Sequence, residues 1–339
     1  ILKKERNKTY IMMKKTLLCS CLFALSLGVQ AQDNHGYGAD DSQFKSLAEE
    51  VAHLKKSNDM FNVYINYAAS VQAVSDEGHE WSAGFKNKHL RLEFKGNLTD
   101  KLYYRFCYRL NKSNVASSED NFARSTDVMM MGYKFSDKLS VEAGKIFQPF
   151  GGFEVDENPV YIYEFSDLTG GMECYLGGAI VAYKPIPTQE FVVGVTNAHN
   201  DKFADVYGDN SMSIEGDGTH SRRLEKSRIP LGYSLAWNGR FLNDKILTRW
   251  SWGIESEARH KYSRMLILGQ KLNLERLQWY FDYMSQNDGI DRLGLASDEL
   301  RGFFPSSGND VWMSDIHYNS FITKLNWQFV PRWNLMLKG

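Results

Sequence analysis

Cationic side chains recur at every second or fourth position of alternating segments. In Lys88–Leu110, Arg91 and Lys95 share one parity, and Arg105 and Arg109 share one parity after a short break. The same class of position holds Lys134, Arg240, Arg249, Lys324 and Lys338, against Glu93, Glu142, Glu255 and Asp282. Guanidinium and ammonium groups gathered on one wall attract and concentrate anions, the more so where low-dielectric walls surround them. Acidic residues crowd other stretches: Asp76, Glu77, Glu80, Glu119, Asp120, Glu154, Asp156 and Glu157. The expected chemistry is anion attraction along Arg91, Lys95, Arg105, Arg109, Lys134, Arg240, Arg249 and Lys324. Its densest patch lies where Arg105 and Arg109 oppose Arg91 and Lys95. The competing reading is Arg–Glu pairing that only stiffens the wall.

Other chemistries find little support. His317 and Ser320 stand three apart, so on a strand they face opposite sides, and His220-Ser221 fails as a same-face pair. No GxSxG or HExxH motif occurs, and the cysteines have no zinc-ligand spacing. Asp288–Glu299 is acid-rich without a regular calcium-ligand spacing. No catalytic site, metal or cofactor is expected. A net charge of −1 argues against a nucleic-acid partner held by a bulk basic surface. Nothing but their number suggests a disulfide between Cys107 and Cys174.

The elements that position the cations are strands. Leu90, Leu92 and Phe94 alternate with Arg91, Glu93 and Lys95, and Leu102 to Leu110 repeats the pattern around Arg105 and Arg109. Side chains alternate faces along a strand, so this is a hairpin with one apolar and one charged face. Similar runs recur from Phe61 onward. Tight breaks separate some of them: Leu98–Leu102, Ser136–Leu139, Leu242–Ile246, Asn273–Leu277 and Val330–Trp333, built on Asp, Asn and Pro. Long polar stretches separate the others: Val74–Asn87, Ser113–Thr126, Gln148–Gly178, His199–Ile229 and Asn287–Tyr318. Short turns at one end and long loops at the other is the pattern of an outer-membrane barrel. Phe94, Phe135, Phe241 and Phe329 precede the tight turns while Tyr104, Trp279 and Trp333 follow them, the girdle expected at a lipid–water interface.

The fold expected is all-β, a transmembrane antiparallel β-barrel over 61–339 with a short N-terminal helix. Thirteen strands can be counted, the last being Trp333–Lys338. Single-chain bacterial barrels have even numbers of strands, so C-terminal strands are expected to be missing here. One strand resists the pattern. In Leu139–Phe147, Lys145 shares parity with Val141 and Ala143, which turns it toward lipid unless a bulge intervenes or the face is covered.

The N-terminus carries an address. Met12–Lys15, the apolar stretch 16–27 and Val29-Gln30-Ala31 form a secretory signal peptide over 12–31, with 1–11 an upstream non-native or artefactual segment. Residues 32–60 read as a linker and a short amphipathic or coiled-coil helix, with Phe44, Leu47, Val51 and Leu54 at helical steps.

The pairing of LRLEFKGNLTDKLYYRF with VEAGKIFQPFGGFE resembles the phosphate-selective porin O/P family of Gram-negative outer membranes. There a strand ending in Gly, a polar residue and an aromatic leads into Pro-Phe-Gly, here Gly144 to Gly151. The resemblance implies an outer-membrane porin, sixteen-stranded and trimeric. It implies small anions as solutes, with phosphate a candidate, and outer-membrane lipid as surroundings. The family's arginine and lysine ladder does not map residue by residue onto this chain. In many porins the loop after the fifth strand folds inward, so 148–178, with Pro149, Phe150, Gly151 and Glu154, is expected to narrow the pore. The alternative function is an outer-membrane or secreted β-protein with a structural or carbohydrate-binding role.

Overall fold

The computed structural model describes residues 60–75, 81–157, 164–215, 221–303, 311–331 and 333–339. The expected upstream segment, signal peptide and linker–helix region, up to residue 59, lie outside the described residues. The first seven strands are β1 (Asn62–Val74), β2 (Ser82–Asn97), β3 (Leu102–Arg109), β4 (Thr126–Ser136), β5 (Leu139–Phe147), β6 (Tyr175–Ile186) and β7 (Gln189–Asn197). Two three-residue strands follow, β8 (Met212–Ile214) and β9 (Ser221–Arg223). Then come β10 (Leu231–Phe241), β11 (Ile246–Ala258), β12 (Lys261–Asn273), β13 (Leu277–Ile290), β14 (Val311–Val330) and β15 (Trp333–Lys338). Among the described residues, thirteen strands reach six residues or more, matching the count made from alternation.

These long strands pair antiparallel with their neighbours in chain order, β7 joining β10 directly. β8 lies parallel to the start of β14 and carries β9 on its other side, adding a small flap at the long-loop end. Tight turns close on local chemistry. The Thr99 hydroxyl accepts from the amides of Lys101 and Leu102, and the Ser136 hydroxyl accepts from the Lys138 amide. Leu242, Asn243 and Asp244 take left-handed backbone angles in succession between β10 and β11, where Asn and Asp are tolerated best.

Several strands run further than expected. β1 and β2 stay paired from Asn62↔Lys95 to Val74↔Ser82, so half of the stretch expected as the first long loop is ladder. Val71, Ala73, Ala83 and Phe85 continue the alternation weakly, and pairing satisfies backbone groups that a loop would leave to water. The long connections also hold short helices, Phe153–Asp156, Asp167–Gly171, Phe203–Tyr207 and Leu295–Phe303.

Burial alternates along the strands. In β12, Ser263, Met265, Ile267, Gly269 and Lys271 are buried, while Tyr262, Leu266 and Gln270 are exposed. The exposed parity is apolar almost throughout: Ile65 is 69% exposed, Phe321 66% and Trp333 68%, with Met129, Phe135, Trp250 and Trp279 alongside. Leaving such side chains in water forgoes on the order of 1.5–3 kcal/mol each, which a hydrocarbon surround restores. The oily face is the outside. The sheet's inner face carries the buried apolar clusters and most of the charge.

Candidate functional site

The inner face of β2 and β3 brings four cations together by register. Arg91 stands directly opposite Arg109, and Lys95 directly opposite Arg105. Like charges in facing positions repel, so the arrangement needs counter-charges. One oxygen of Asp127, in β4, serves both arginines: Arg91 Nε lies 2.8 Å away and Arg109 Nε 2.6 Å. Arg105 Nε donates to Glu93 at 2.7 Å. Arg91 also donates to the Tyr175 hydroxyl at 3.2 Å, and the Lys95 ammonium sits 4.8 Å from the Tyr64 ring centre. Asp127 and Glu93 thus lie beside three of these four cations.

The remaining expected residues scatter. Lys134 lies over the Tyr103 ring, at 5.6 Å from its centre. Arg240 sits at the tight-turn end, bound to the Pro187 carbonyl at 2.7 Å and paired with Asp244 at 3.7 Å. Arg249 pairs with Asp156, and Lys324 with Glu157 at 2.6 Å. So at least six of the eight cations expected along the path have a carboxylate partner, the arrangement that the stiffening reading anticipates.

The described parts of the stretch 148–178, up to 157 and from 164 onward, lie against the inner face. Pro149 packs where Gly194 of β7 leaves room, since a side chain there would come within 2.6 Å of the proline ring. The Gly151 amide donates to the Ser251 hydroxyl at 3.0 Å, and the Glu154 amide donates to Asp282 at 2.9 Å. Gly152 has to be glycine, because a Cβ would lie 2.3 Å from the Asp282 carboxyl carbon. Phe150, Phe153, Leu168 and Met172 bury themselves against Met265, Ile267, Tyr280, Met284 and Ile322 of the wall. Of the expected loop residues, Pro149, Phe150, Gly151 and Glu154 all come together here.

Glu154 is fully buried and heavily bonded. Its oxygens accept from the Ser166 amide and hydroxyl at 2.9 and 2.6 Å and from the Thr169 hydroxyl at 2.6 Å. Lys338 lies 2.5 Å away. Burial opposes ionisation, but these donors, Lys338 foremost, outweigh it and hold the carboxyl below its ordinary range. At Asp156 burial prevails over the pull of Arg249, and the carboxyl is raised.

The alternation gave no hint of several partners. Asp127 begins β4 beside a register shift, where parity breaks down. Lys145 is buried, its ammonium 2.9 Å from Asp120. Its ladder partner Met129 is exposed and the register runs unbroken through Gly144, so Lys145 keeps the outward parity, and Asp120 and Phe122 of the β3–β4 connection cover it. Lys271 sits buried 6.0 Å from the Phe153 ring centre, and Arg292 pairs with Glu255 and, at 3.3 Å, with Glu257. Cys107 and Cys174 are free thiols.

An oily exterior around a charged, looped interior is the arrangement shared with known channels. A family model for phosphate-selective porin O and P matches residues 61–338. The chain belongs to this family. It is an outer-membrane porin of a Gram-negative bacterium, a β-barrel channel. Among solved structures it is similar to the outer membrane channel DcaP of Acinetobacter baumannii, at 10% identity and a TM-score of 0.49, covering 84% of this chain and 79% of that one. It is also similar to OmpT of Vibrio cholerae, solved in a trimer form, at 9% identity and a TM-score of 0.39, covering 83% and 88%. For OpdK of Pseudomonas aeruginosa, solved with vanillate, the figures are 12%, 0.30, 81% and 67%. No curated protein matches the chain.

Proposed function

We propose that this porin passes small anions by passive diffusion, with phosphate a candidate solute, and that the loop at 148–178 narrows its lumen. The observation that carries the reading is the register of β2 and β3. It sets Arg91 against Arg109 and Lys95 against Arg105, beside Glu93 and Asp127. Facing like charges cost stability, so their placement on a wetted wall is better explained by attraction of an anion than by stiffening. The inward-lying loop supports the narrowing, since its aromatic and acidic residues occupy space inside the sheet. Assembly as a homotrimer within outer-membrane lipid belongs to the same reading and rests on the family resemblance.

The test is the reversal potential of single channels in a potassium chloride gradient. Preference for chloride is the expected result, weakened in Lys95→Gln and Arg109→Gln. Preference for potassium would refute the reading. Phosphate added to one side, at constant ionic strength, then reports whether it carries current or blocks chloride.

A further inference from the structure

The inner wall holds a third like-charged pair in register, Lys324 of β14 opposite Lys338 of β15. Its counter-charges come from elsewhere in the chain. Glu157 of the inward loop lies 2.6 Å from Lys324, and Glu154 lies 2.5 Å from Lys338. Asp156, between them in sequence, takes Arg249 of β11. Three acids within four residues thus meet cations from three different strands. The apolar contacts of Phe150, Phe153 and Leu168 already seat the loop, so packing does not call for these acids. On the β2–β3 side the carboxylates beside Arg91, Arg105 and Arg109 are the wall's own Glu93 and Asp127.

We infer that Glu154, Asp156 and Glu157 are selectivity-determining residues. They act as tethered counter-anions, neutralising the β11, β14 and β15 side of the lumen. A tethered acid holds its cation at an effective concentration in the millimolar range or above, so dissolved anions do not displace it readily. The loop then sets how much of the wall's positive charge a solute meets, besides setting how much room it has. This inference rests on the anion reading above.

The test uses the full chain in planar bilayers, comparing Glu157→Gln, Lys324→Gln and the double variant under a dilute potassium chloride gradient. Unboiled-gel mobility confirms folding of each. One unit charge near the lumen shifts the chloride-to-potassium permeability ratio about twofold at low salt. Glu157→Gln is expected to raise the ratio by about that factor and Lys324→Gln to lower it, with the double variant returning toward wild type. A loop that merely loosens moves both single variants in the same direction, and that result, or no shift at all in an anion-selective wild type, overturns the inference. Should Lys324→Gln fail to insert, Lys338→Gln reads the same sign through the Glu154 pair. A potassium-preferring wild type in which the opposite-signed shifts persist overturns the anion reading while upholding the counter-anion role of the loop acids.

Discussion

Asp127→Asn separates the electrostatic account of the β2–β3 wall from a packing account. The substitution keeps size and shape and removes one charge. Arg91 and Arg109 lie at 2.8 and 2.6 Å from the same Asp127 oxygen. Laid end to end, those two lengths place the guanidinium nitrogens no more than about 5.4 Å apart, where unit charges repel by about 0.8 kcal/mol in water and about 3 kcal/mol at an effective dielectric of 20. Arg91 is buried and Arg109 partly exposed, so the true value lies between these. Adding the lost attraction, Asp127→Asn is expected to destabilise the folded barrel by about 2–4 kcal/mol. It should also raise chloride preference about 1.5- to 2-fold at low salt, an effect that fades as salt screens the wall.

Denaturant titration of the detergent-folded protein measures the first effect and reversal potential the second. A second substitution, Arg109→Gln in the Asp127→Asn background, relieves the repulsion and should return most of the lost stability, although it deletes a further contact. A single variant as stable as wild type with unchanged selectivity would refute the reasoning. So would a double variant less stable than the single one, because the loss would then come from packing.

Two more outcomes follow from particular geometries. Gly144→Ala places a Cβ 2.3 Å from the Met129 carbonyl oxygen at a backbone angle of +127°, so the strand must shift there and Lys145 loses Asp120. The backbone strain alone is about 1–3 kcal/mol. Folding yield on unboiled gels should fall, and Lys145 in the surviving folded protein should become reactive toward amine reagents; continued protection of Lys145 would count against this account. At the long-loop end, Asp201 ties two loops together by accepting from the Ser118 amide at 2.8 Å and from Arg124. Burial works against its charge, but these donors outweigh it and hold the carboxyl below its ordinary range. A depressed carboxyl contributes stability that is fully present above the unfolded value of about 3.9 and is lost as pH falls through the depressed value. Hydrogen exchange at the Ser118 amide should therefore accelerate only below about pH 4, and Asp201→Asn should abolish that pH dependence.

How far the sequence reveals this arrangement depends on what covers each face. Where one face meets lipid and the other meets water, as in β2 and β3, alternation separates them, and Arg91, Lys95, Arg105 and Arg109 fall on the inner wall as expected. In β12 the inner parity is Ser263, Met265, Ile267, Gly269 and Lys271, nearly as apolar as the outer one, because the inward loop rather than water covers it. Two apolar faces erase the contrast that parity needs, and Lys271 goes unseen. Asp127 escapes because a register shift resets the alternation next to it, and a two-residue period carries no signal across such a break; Lys145 stands against its parity because Asp120 and Phe122 of a loop cover that face. The ion partners are harder still, since Glu157 and Lys324 meet across 167 residues of chain. Charge on a strand therefore says which residues can line the lumen, whereas the net field depends on pairs that form only when the loop is seated, and the acids of that loop reverse what the cations alone suggest for β11, β14 and β15.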